Sequence, residues 1–329
     1  MQVDWIILAF LVCLSAACDN SQAGPPLGTI LLNVRVFDAE SGNFTEPTGL
    51  LIRAGRVHET GPSESLPIAA DTLDAAGGFA LPGLWDSHTH LAFLTLGGED
   101  SLAIALEEFA RAGILYVRDV GGPLEVISSI SQRVSTGELP GPEIFFSGPM
   151  LERPPLHWAQ FNEQLPGFTV PVESAEDVDR LVEEVSAAGG SFLKVFNKWD
   201  LDLFPRILRR AEERGLGVVL DPGPPVFQSI SVDTALALGA TSIEHAFAPV
   251  LSVLAPDLRR LHDSLALSSG QQGVQAFLGE VFAPAGMEAI DGAALRRLGQ
   301  RWAESGAFHC PTLRVMPSSP AVSSCLAVQ

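Results

Sequence analysis

The sequence has few basic residues and almost no lysine. Its 329 residues include 20 Lys or Arg against 39 Asp or Glu, which gives a formal net charge of −19. Nucleic-acid binding depends on clustered Lys and Arg that neutralise phosphates, so this composition argues against a nucleic-acid partner. Only Lys194 and Lys198 are lysines, and Lys194 therefore needs its own explanation.

Cysteine is confined to the two ends of the chain. Cys13 and Cys18 lie near the amino end, and Cys310 and Cys325 near the carboxyl end. This distribution provides neither a disulfide framework nor a Cys-x-x-Cys metal site. The sequence also lacks a P-loop, a dinucleotide-binding fingerprint and a nucleophile elbow.

An apolar run of 13 residues, Trp5 to Ala17, opens the chain and is too short to cross a bilayer as a mature helix. Its length is typical of a signal peptide, and small residues precede Cys18 as in a bacterial lipoprotein leader. We expect export, either as a membrane-anchored lipoprotein tethered through lipidated Cys18 or to the periplasm. A misassigned start and an uncleaved anchor are the alternatives, because residues 1–4 carry no basic charge and include Asp4.

The composition, 47% apolar and 18% charged, is that of a globular protein. The length suits one barrel of about 250 residues together with a smaller portion. The predicted organisation is a leader at 1–18, a linker at 19–28, an N-terminal β portion at 29–80, a barrel at 81–315 and an irregular tail at 316–329.

From Leu84 onward, short apolar strands alternate with amphipathic helices, which predicts βα units and a parallel sheet. Predicted strands cover 84–91, 114–120, 143–149, 192–196, 217–221, 242–246 and 307–313. Predicted helices cover 100–112, 124–135, 174–188, 202–214, 231–238 and 291–305, and residues 248–290 are expected to form helical excursions and loops. These are seven strands without an eighth.

The stretch PGLWDSHTHL at 82–91 carries two histidines one residue apart. In a strand, alternate side chains share a face, so Asp86, His88 and His90 point the same way, at a spacing that suits one cation. The alternative is a surface His-x-His on a polar edge strand.

Three more residues end later predicted strands. Lys194 lies within FLKVF, where a cation is costly to bury, unless the side chain extends to the strand end. Asp221 and His245 end the next two strands, and each alone fits a capped turn or a core histidine. Active sites of βα barrels lie at the carboxyl ends of the strands, so the shared register favours one site.

The chain resembles the metal-dependent amidohydrolases, in their imidazolonepropionase-like and prolidase-like branch. The resemblance runs from about Thr29 to Leu313 and rests on NVRVFD and LLIRAGRV, LPGLWDSHTHL, FLKVF and LALGATSIEHA, with PTL at 311–313 as a weaker match. It implies an α/β fold, a TIM-type (β/α) barrel flanked by a β-sandwich. In this chain we expect an incomplete barrel of about seven strands with a small N-terminal sandwich portion.

The resemblance also implies one or two divalent metal ions, commonly zinc. His88 and His90 would hold one ion, His245 the other, and Lys194, carboxylated on its amine, would bridge them. Water activated by the metal would attack a carbonyl carbon of a small-molecule substrate, an amide, cyclic amide or dipeptide, and break a C–N bond.

The sequence departs from the family pattern at two places. Asp221 stands where this branch places a metal-binding histidine. Its carboxylate can bind zinc through oxygen, so we expect Asp221 to be a metal ligand, with altered metal affinity or with a single bound ion as the alternatives. The catalytic Asp of the family's eighth strand has no counterpart, which suggests a truncated or frameshifted copy of a longer enzyme. The alternative function is therefore a catalytically inactive lipoprotein that binds metal or ligand without turnover. The sequence does not predict an oligomeric state.

Three further residues are weaker candidates for substrate contact. Arg118 ends the second predicted strand and could instead form a structural pair with Asp119. His157 lies in the loop after the third strand, beside Trp158, where an ordinary surface loop is equally compatible. His309 lies within the seventh predicted strand and could face either the substrate or the core.

Overall fold

The computed structural model describes residues 28–66, 71–196, 199–222 and 230–312. The predicted leader, all of the predicted linker except Gly28, and the predicted tail lie outside these residues. The chain divides into two compact units, which meet in sequence between Pro82 and Gly83. Within the described ranges, none of the helices combines the length and apolar character needed to cross a membrane.

The first unit is a six-stranded sheet built around its first strand. Its strands are β1 (Thr29–Asp38), β2 (Asn43–Phe44), β3 (Thr48–Arg53), β4 (Arg56–Gly61), β5 (Asp71–Asp74) and β6 (Phe79–Ala80). β2 and β3 pair antiparallel with β1, whereas β5 and β6 run parallel to it. The described residues of this unit form one sheet, so the second layer of a sandwich stays a prediction.

A tight turn at Ala54 and Gly55 joins β3 and β4. Both residues have positive φ, 48° and 71°, which matches the twist that a two-residue hairpin requires. Gly55 adopts this conformation without a Cβ penalty. Local turn chemistry therefore fixes this hairpin.

The second unit alternates strands with helices, as predicted. Its strands are β7 (Leu84–Thr89), β8 (Ile114–Asp119), β9 (Glu143–Phe146), β10 (Met150–Glu152), β11 (Thr169–Pro171), β12 (Phe192–Phe196), β13 (Gly217–Asp221), β14 (Ser242–Glu244) and β15 (Phe308–Cys310). They form two parallel sheets in the orders β7-β8-β9 and β11-β10-β12-β13-β14-β15. The mixed α/β fold with barrel-like parallel sheets is confirmed; closure with about seven strands is not.

The helices of this unit follow the strands in turn. They are α1 (Glu99–Arg111), α2 (Leu124–Ser135), α3 (Ala175–Ala187), α4 (Phe204–Glu213), α5 (Val232–Leu238), α6 (Phe247–Ser252), α7 (Pro256–Ala276), α8 (Ala283–Ala285) and α9 (Gly292–Ser305). A π-helical turn, Phe277–Phe282, continues α7. Short 3₁₀ segments cover Leu91–Gly97, Ala159–Glu163 and Gly286–Ala289. The expected excursion between β14 and α9 is thus mainly helical.

The single strand predicted at 143–149 is wrong in one respect, because the chain there forms β9 and β10 in different sheets. β9 pairs with β8, and β10 pairs with β11 and β12. Gly148 has φ +70° and Pro149 has no N–H, so neither suits a continuous ladder. The short strand β11, which the sequence pattern does not predict, completes the second sheet.

Apolar side chains on the helix-facing side of the sheets form the main cores of this unit. One core includes Leu193, Val195, Trp199 and Phe204, all fully buried. A second packs α1 and α2 around Val117. Since side chains alternate along a strand, Lys194 lies on the face of β12 opposite to Leu193 and Val195. The rigid outer layer thus fixes the positions of polar groups on the other face.

The start of α3 carries a capping box in which Ser174 and Asp177 exchange hydrogen bonds. The Ser174 hydroxyl accepts from the Asp177 N–H at 3.2 Å, and Asp177 Oδ2 accepts from the Ser174 N–H at 3.0 Å. We expect Ser174→Ala to lower the free energy of unfolding by about 1 kcal/mol because a helix donor loses its acceptor. Urea titration would measure this, with Ser186→Ala in the same helix as the control; equal losses would contradict the capping role.

Candidate metal centre

His88 and His90 are both held through their Nδ1 atoms. His90 Nδ1 lies 2.8 Å from the Gly121 carbonyl oxygen, which can only accept, so Nδ1 carries the proton. His88 Nδ1 lies 2.6 Å from Glu244 Oε2 and donates to this carboxylate. The Nε2 atom of each neutral ring therefore keeps its lone pair. Metal-binding histidines almost always have such a partner on the second nitrogen.

Both histidines are neutral near pH 7. Burial and the nearby charge of Lys194 lower the pKa of His90 to about 4, and burial first, then Lys194, lowers the pKa of His88. Neutral imidazole is the form that binds a metal. The two ring centroids are 5.4 Å apart, so the pair predicted from the sequence lies in one place.

Lys194 is fully buried, beside the carboxylate of Asp221. Its Nζ atom lies 3.1 Å from Asp221 Oδ2, but no partner among the described residues gives it a well-aligned hydrogen bond. The ion pair therefore compensates the ammonium only in part. An ammonium ion in this position is costly, which fits a chemical role for the amine.

Asp221 and His245 also meet, although they end different strands. His245 Nε2 lies 3.0 Å from Asp221 Oδ2, and His245 Nδ1 lies 2.6 Å from Thr312 Oγ1. His245 has φ +59°, a conformation that is uncommon for residues other than glycine. This turn after β14 places its ring 4.8 Å from that of His88.

The five residues proposed as metal ligands thus form one connected cluster. They are His88, His90, Lys194, Asp221 and His245. Imidazole nitrogens and a carboxylate oxygen form a donor set that suits zinc and similar divalent ions. The held Nδ1 atoms and the buried amine both fit such an ion.

Glu244 organises the polar side of this cluster. It is fully buried, contacts the Arg118 guanidinium, and accepts from the Ser242 hydroxyl at 2.8 Å in addition to His88. Burial opposes its ionisation, but the His88 hydrogen bond and the charges of Lys194 and Arg118 outweigh this effect and lower its pKa to about 2. Glu244 is therefore a carboxylate at neutral pH that fixes the His88 ring.

Arg118 is engaged by protein groups on three sides. Besides Glu244, its Nε donates to the Ser87 carbonyl at 2.9 Å and its Nη1 to Ser242 Oγ at 3.3 Å. The suggested pair with Asp119 is wrong, because adjacent strand residues point to opposite faces. Asp119 instead accepts from the Leu91 and Gly121 N–H groups at 2.5 and 3.3 Å, and burial raises its pKa to about 7.

Cys310 lies near the same polar groups. One ligand atom each from His88, Glu244 and Cys310 falls within 4.8 Å of the others, a second arrangement that could hold a metal. Burial and the charge of Glu244 raise the pKa of the Cys310 thiol to about 11. The protonated thiol and the Arg118 contact to Glu244 make this set the weaker one.

The two remaining substrate candidates lie apart from each other. His309 packs on Trp302 of α9, with ring centroids 4.9 Å apart, and its Nε2 lies 3.3 Å from the His245 carbonyl. This contact places His309 on the helix-facing side of β15. His157 packs against Trp158 and Phe196, at 4.5 and 5.6 Å.

The comparisons with known proteins agree with this architecture. No protein-family model matches the chain. An imidazolonepropionase from Saccharopolyspora erythraea is 26% identical over 243 residues, covering 63% of this chain and 59% of that protein. The chain is related to the amidohydrolases, at low sequence identity. This amidohydrolase relationship confirms the resemblance read from the sequence, and the matched region spans about three fifths of the relative's length, 59%.

Two solved structures share the fold. A prolidase complexed with N-methylphosphonate-L-proline is 18% identical, with a TM-score of 0.56 over 85% of this chain and 77% of that one. A Xaa-Pro dipeptidase with bound methionine in the active site is 16% identical, with a TM-score of 0.57 over 85% and 78%. At these identities the similarity shows the amidohydrolase-like fold alone.

Proposed function

We propose that the chain is a metal-dependent hydrolase that cleaves a C–N bond in a small-molecule amide, cyclic amide or dipeptide. The observation that carries the proposal is the pair of Nδ1 contacts, His88 to Glu244 and His90 to Gly121. They leave the Nε2 atom of each ring with its lone pair, and both rings lie near enough to Lys194 for its charge to lower their pKa values. Relatives named imidazolonepropionase and prolidase support C–N bond hydrolysis.

In this proposal the site binds one or two divalent ions, and zinc is the expected metal. The ligands are His88, His90, Lys194, Asp221 and His245. Lys194 carries a carboxylate on its amine, which replaces a buried cation with an anionic oxygen ligand. When bound, the metal would supply Lewis acidity. It would polarise the carbonyl of the substrate and lower the pKa of water, so that hydroxide is available as the nucleophile near neutral pH.

The surrounding residues hold this arrangement in place. Glu244 keeps the Nδ1 proton on His88, and Arg118 balances the charge of Glu244. The Arg118 guanidinium is itself held by its hydrogen bonds to the Ser87 carbonyl and the Ser242 hydroxyl. Glu244 and Lys194 are fully buried. Exclusion of water lowers the local dielectric constant and strengthens every charge interaction in the site.

The test measures metal content and hydrolysis together. Full-length protein purified from zinc-supplemented medium is expected to contain one or two equivalents of metal by mass spectrometry. The double variant His88→Ala/His90→Ala is expected to fall to background, because two nitrogen ligands are lost. His58→Ala is the control: this histidine is exposed on β4 of the first unit, and the variant should retain its metal.

A panel of amides, cyclic amides and dipeptides completes the test. Metal at background in folded wild-type protein, or equal loss in the control variant, would refute a metal centre at these residues. Metal at full occupancy without hydrolysis of any substrate in the panel would instead favour the inactive, ligand-binding reading.

A further inference from the structure

A cluster of aromatic side chains lies beside the candidate metal centre. We define this aromatic wall by five residues, Phe93, Trp158, Phe161, Phe168 and Phe196. The rings form a continuous series of contacts, with centroid distances of 5.3 Å for Phe93–Phe161, 5.4 Å for Trp158–Phe161, 5.4 Å for Phe161–Phe168 and 5.7 Å for Trp158–Phe196. Phe168 and Phe196 are buried, whereas Phe93, Trp158 and Phe161 are only partly buried.

The wall adjoins the metal centre at two points. The His90 ring lies 5.7 Å from Phe168 and 6.4 Å from Phe93. Phe196 is two residues beyond Lys194 on β12 and therefore on the same face, nearer the carboxyl end of the strand. A substrate that presents its C–N bond to the metal ligands would have these rings beside it.

A buried carboxylate holds the loop that carries part of the wall. Glu152, fully buried at the end of β10, accepts from the His157 N–H at 2.6 Å, the Trp158 N–H at 3.4 Å and the Thr169 hydroxyl at 2.6 Å. Asn162 makes two further bonds to the Thr169 backbone, both 3.0 Å. The loop is thus ordered before any ligand binds, which reduces the entropic cost of binding.

The charged side chains Glu152 and Arg153 near the wall are already bonded to protein groups, which disfavours the binding of a charged ligand. The Glu152 oxygens are occupied by protein donors, and Arg153 turns to the Val172 carbonyl at 2.8 Å and to Asp200 at 3.2 Å. Within the described ranges, the cation–aromatic contact that is present involves Arg118 and Phe192, outside the wall. The His157 ring packs on Trp158 and Phe196, and the wall residues also contact one another through their rings. Aromatic surfaces of this kind select apolar groups.

We propose that the aromatic wall binds an apolar, preferably aromatic, side chain of the substrate next to the scissile C–N bond. This inference rests on the proposed hydrolase function and narrows it to amides with a bulky apolar substituent. Glu152 acts as a positioning residue, through the loop that carries Trp158 and Phe161.

The first test compares substrates on the zinc-loaded full chain. In whichever scaffold of the panel is cleaved, kcat/KM for the phenylalanine derivative is expected to exceed that for the alanine, aspartate and arginine derivatives by about tenfold or more, the range that apolar pockets provide. Equal rates, or a preference for aspartate or arginine, would overturn the assignment while the hydrolase function stands.

The second test changes the wall itself. Phe161→Ala is expected to lower kcat/KM for the phenylalanine derivative about tenfold and to leave the alanine derivative unchanged, because only the larger group reaches the lost ring. Phe44→Ala is the matched control, since Phe44 is a partly exposed phenylalanine in ring contacts of the first unit. An equal loss for both substrates would argue against a selective subsite.

Binding separates this inference from the hydrolase proposal if no substrate is cleaved. N-acetyl-L-phenylalanine is titrated calorimetrically into the zinc-loaded chain. Binding that Phe161→Ala weakens and Phe44→Ala does not would support the subsite even though hydrolysis is absent. No binding, or binding that Phe161→Ala leaves unchanged, would overturn it.

Glu152→Gln tests the positioning role. The three groups that bond to Glu152 are all donors, and the glutamine amide would present a further donor to one of them. The loop that carries Trp158 and Phe161 is therefore expected to shift. KM for the phenylalanine derivative should rise several-fold, whereas kcat for this substrate and both constants for the alanine derivative should stay unchanged. A fall in kcat for both substrates would indicate a general structural defect instead.

Discussion

Glu244→Gln is expected to lower the free energy of unfolding of the metal-free protein by about 3 to 5 kcal/mol at pH 7, the cost of removing one partner of a buried ion pair. Glu244 is fully buried, and its carboxylate contacts Arg118, His88 and the Ser242 hydroxyl. Glutamine removes the charge that compensates Arg118 and offers a donor where these groups require acceptors. Urea unfolding in the presence of a chelator would measure the loss.

The pH dependence of the free energy of unfolding provides a second test of the role of Glu244. The pKa of Glu244 is about 2 in the folded chain, against an ordinary value of 4.5. Its stabilising contribution is therefore fully present above about pH 4.5 and is lost as the pH falls towards 2. A displacement of this size corresponds to about 3 kcal/mol, so the difference between wild type and Glu244→Gln should shrink below pH 4.5.

Glu143→Gln is the control for this prediction. Glu143 is exposed on β9, and its replacement is expected to change stability by less than about 0.5 kcal/mol. If the two variants lose equal stability, or if the effect of Glu244→Gln is the same at pH 3 and pH 7, the buried carboxylate network does not have the role described here.

Lys194→Met is expected to destabilise the metal-free protein by a similar amount, about 3 to 5 kcal/mol. Methionine fills the space of the buried side chain but removes the ammonium that lies 3.1 Å from the Asp221 carboxylate, which is 4% exposed. The His245 Nε2 atom lies 3.0 Å from the same oxygen, and this contact is present in both the variant and the wild type. Chemical denaturation in the presence of a chelator measures the loss.

A double-mutant cycle isolates the contribution of this ion pair. Asp221→Asn added to Lys194→Met should restore part of the lost stability, because both charges of the buried pair are then removed together. Asparagine can still accept a hydrogen bond from His245. If the double variant is less stable than Lys194→Met by the full cost of Asp221→Asn alone, the two residues act independently and the ion pair contributes nothing.

The local elements could be read from the sequence because short-range chemistry determines them. The alternation of strands and helices from Leu84 onward is present as predicted, and the turn at Ala54 and Gly55 and the capped start of α3 are equally local features. His88 lies on β7 and His90 directly follows Thr89, its last residue, and the two rings lie close together as their spacing predicts. The further grouping of Lys194, Asp221 and His245 followed from the rule that active sites lie at the carboxyl ends of parallel strands.

The division of residues 143–152 into two strands was harder to predict from the sequence. Gly148 and Pro149 signal an interruption, but they do not reveal which strand each half joins. Pairing of β9 with β8 and of β10 with β12 depends on residues far away in sequence. The contribution of β11 to the sheet also depends on the neighbour it finds.

The sequence by itself determined the mixed α/β class, the resemblance to the amidohydrolases and which residue types are available to bind a metal, because these depend on residue type, spacing and periodicity. Only the tertiary structure decided which groups form hydrogen bonds and ion pairs with these residues. Alternation along β15 cannot tell whether His309 or Cys310 faces the site; packing on Trp302 assigns His309 to the helices and Cys310 to Glu244. Partners such as Glu244 for His88, 156 residues apart, and the rings beside His90 arise from long-range packing that no local pattern encodes.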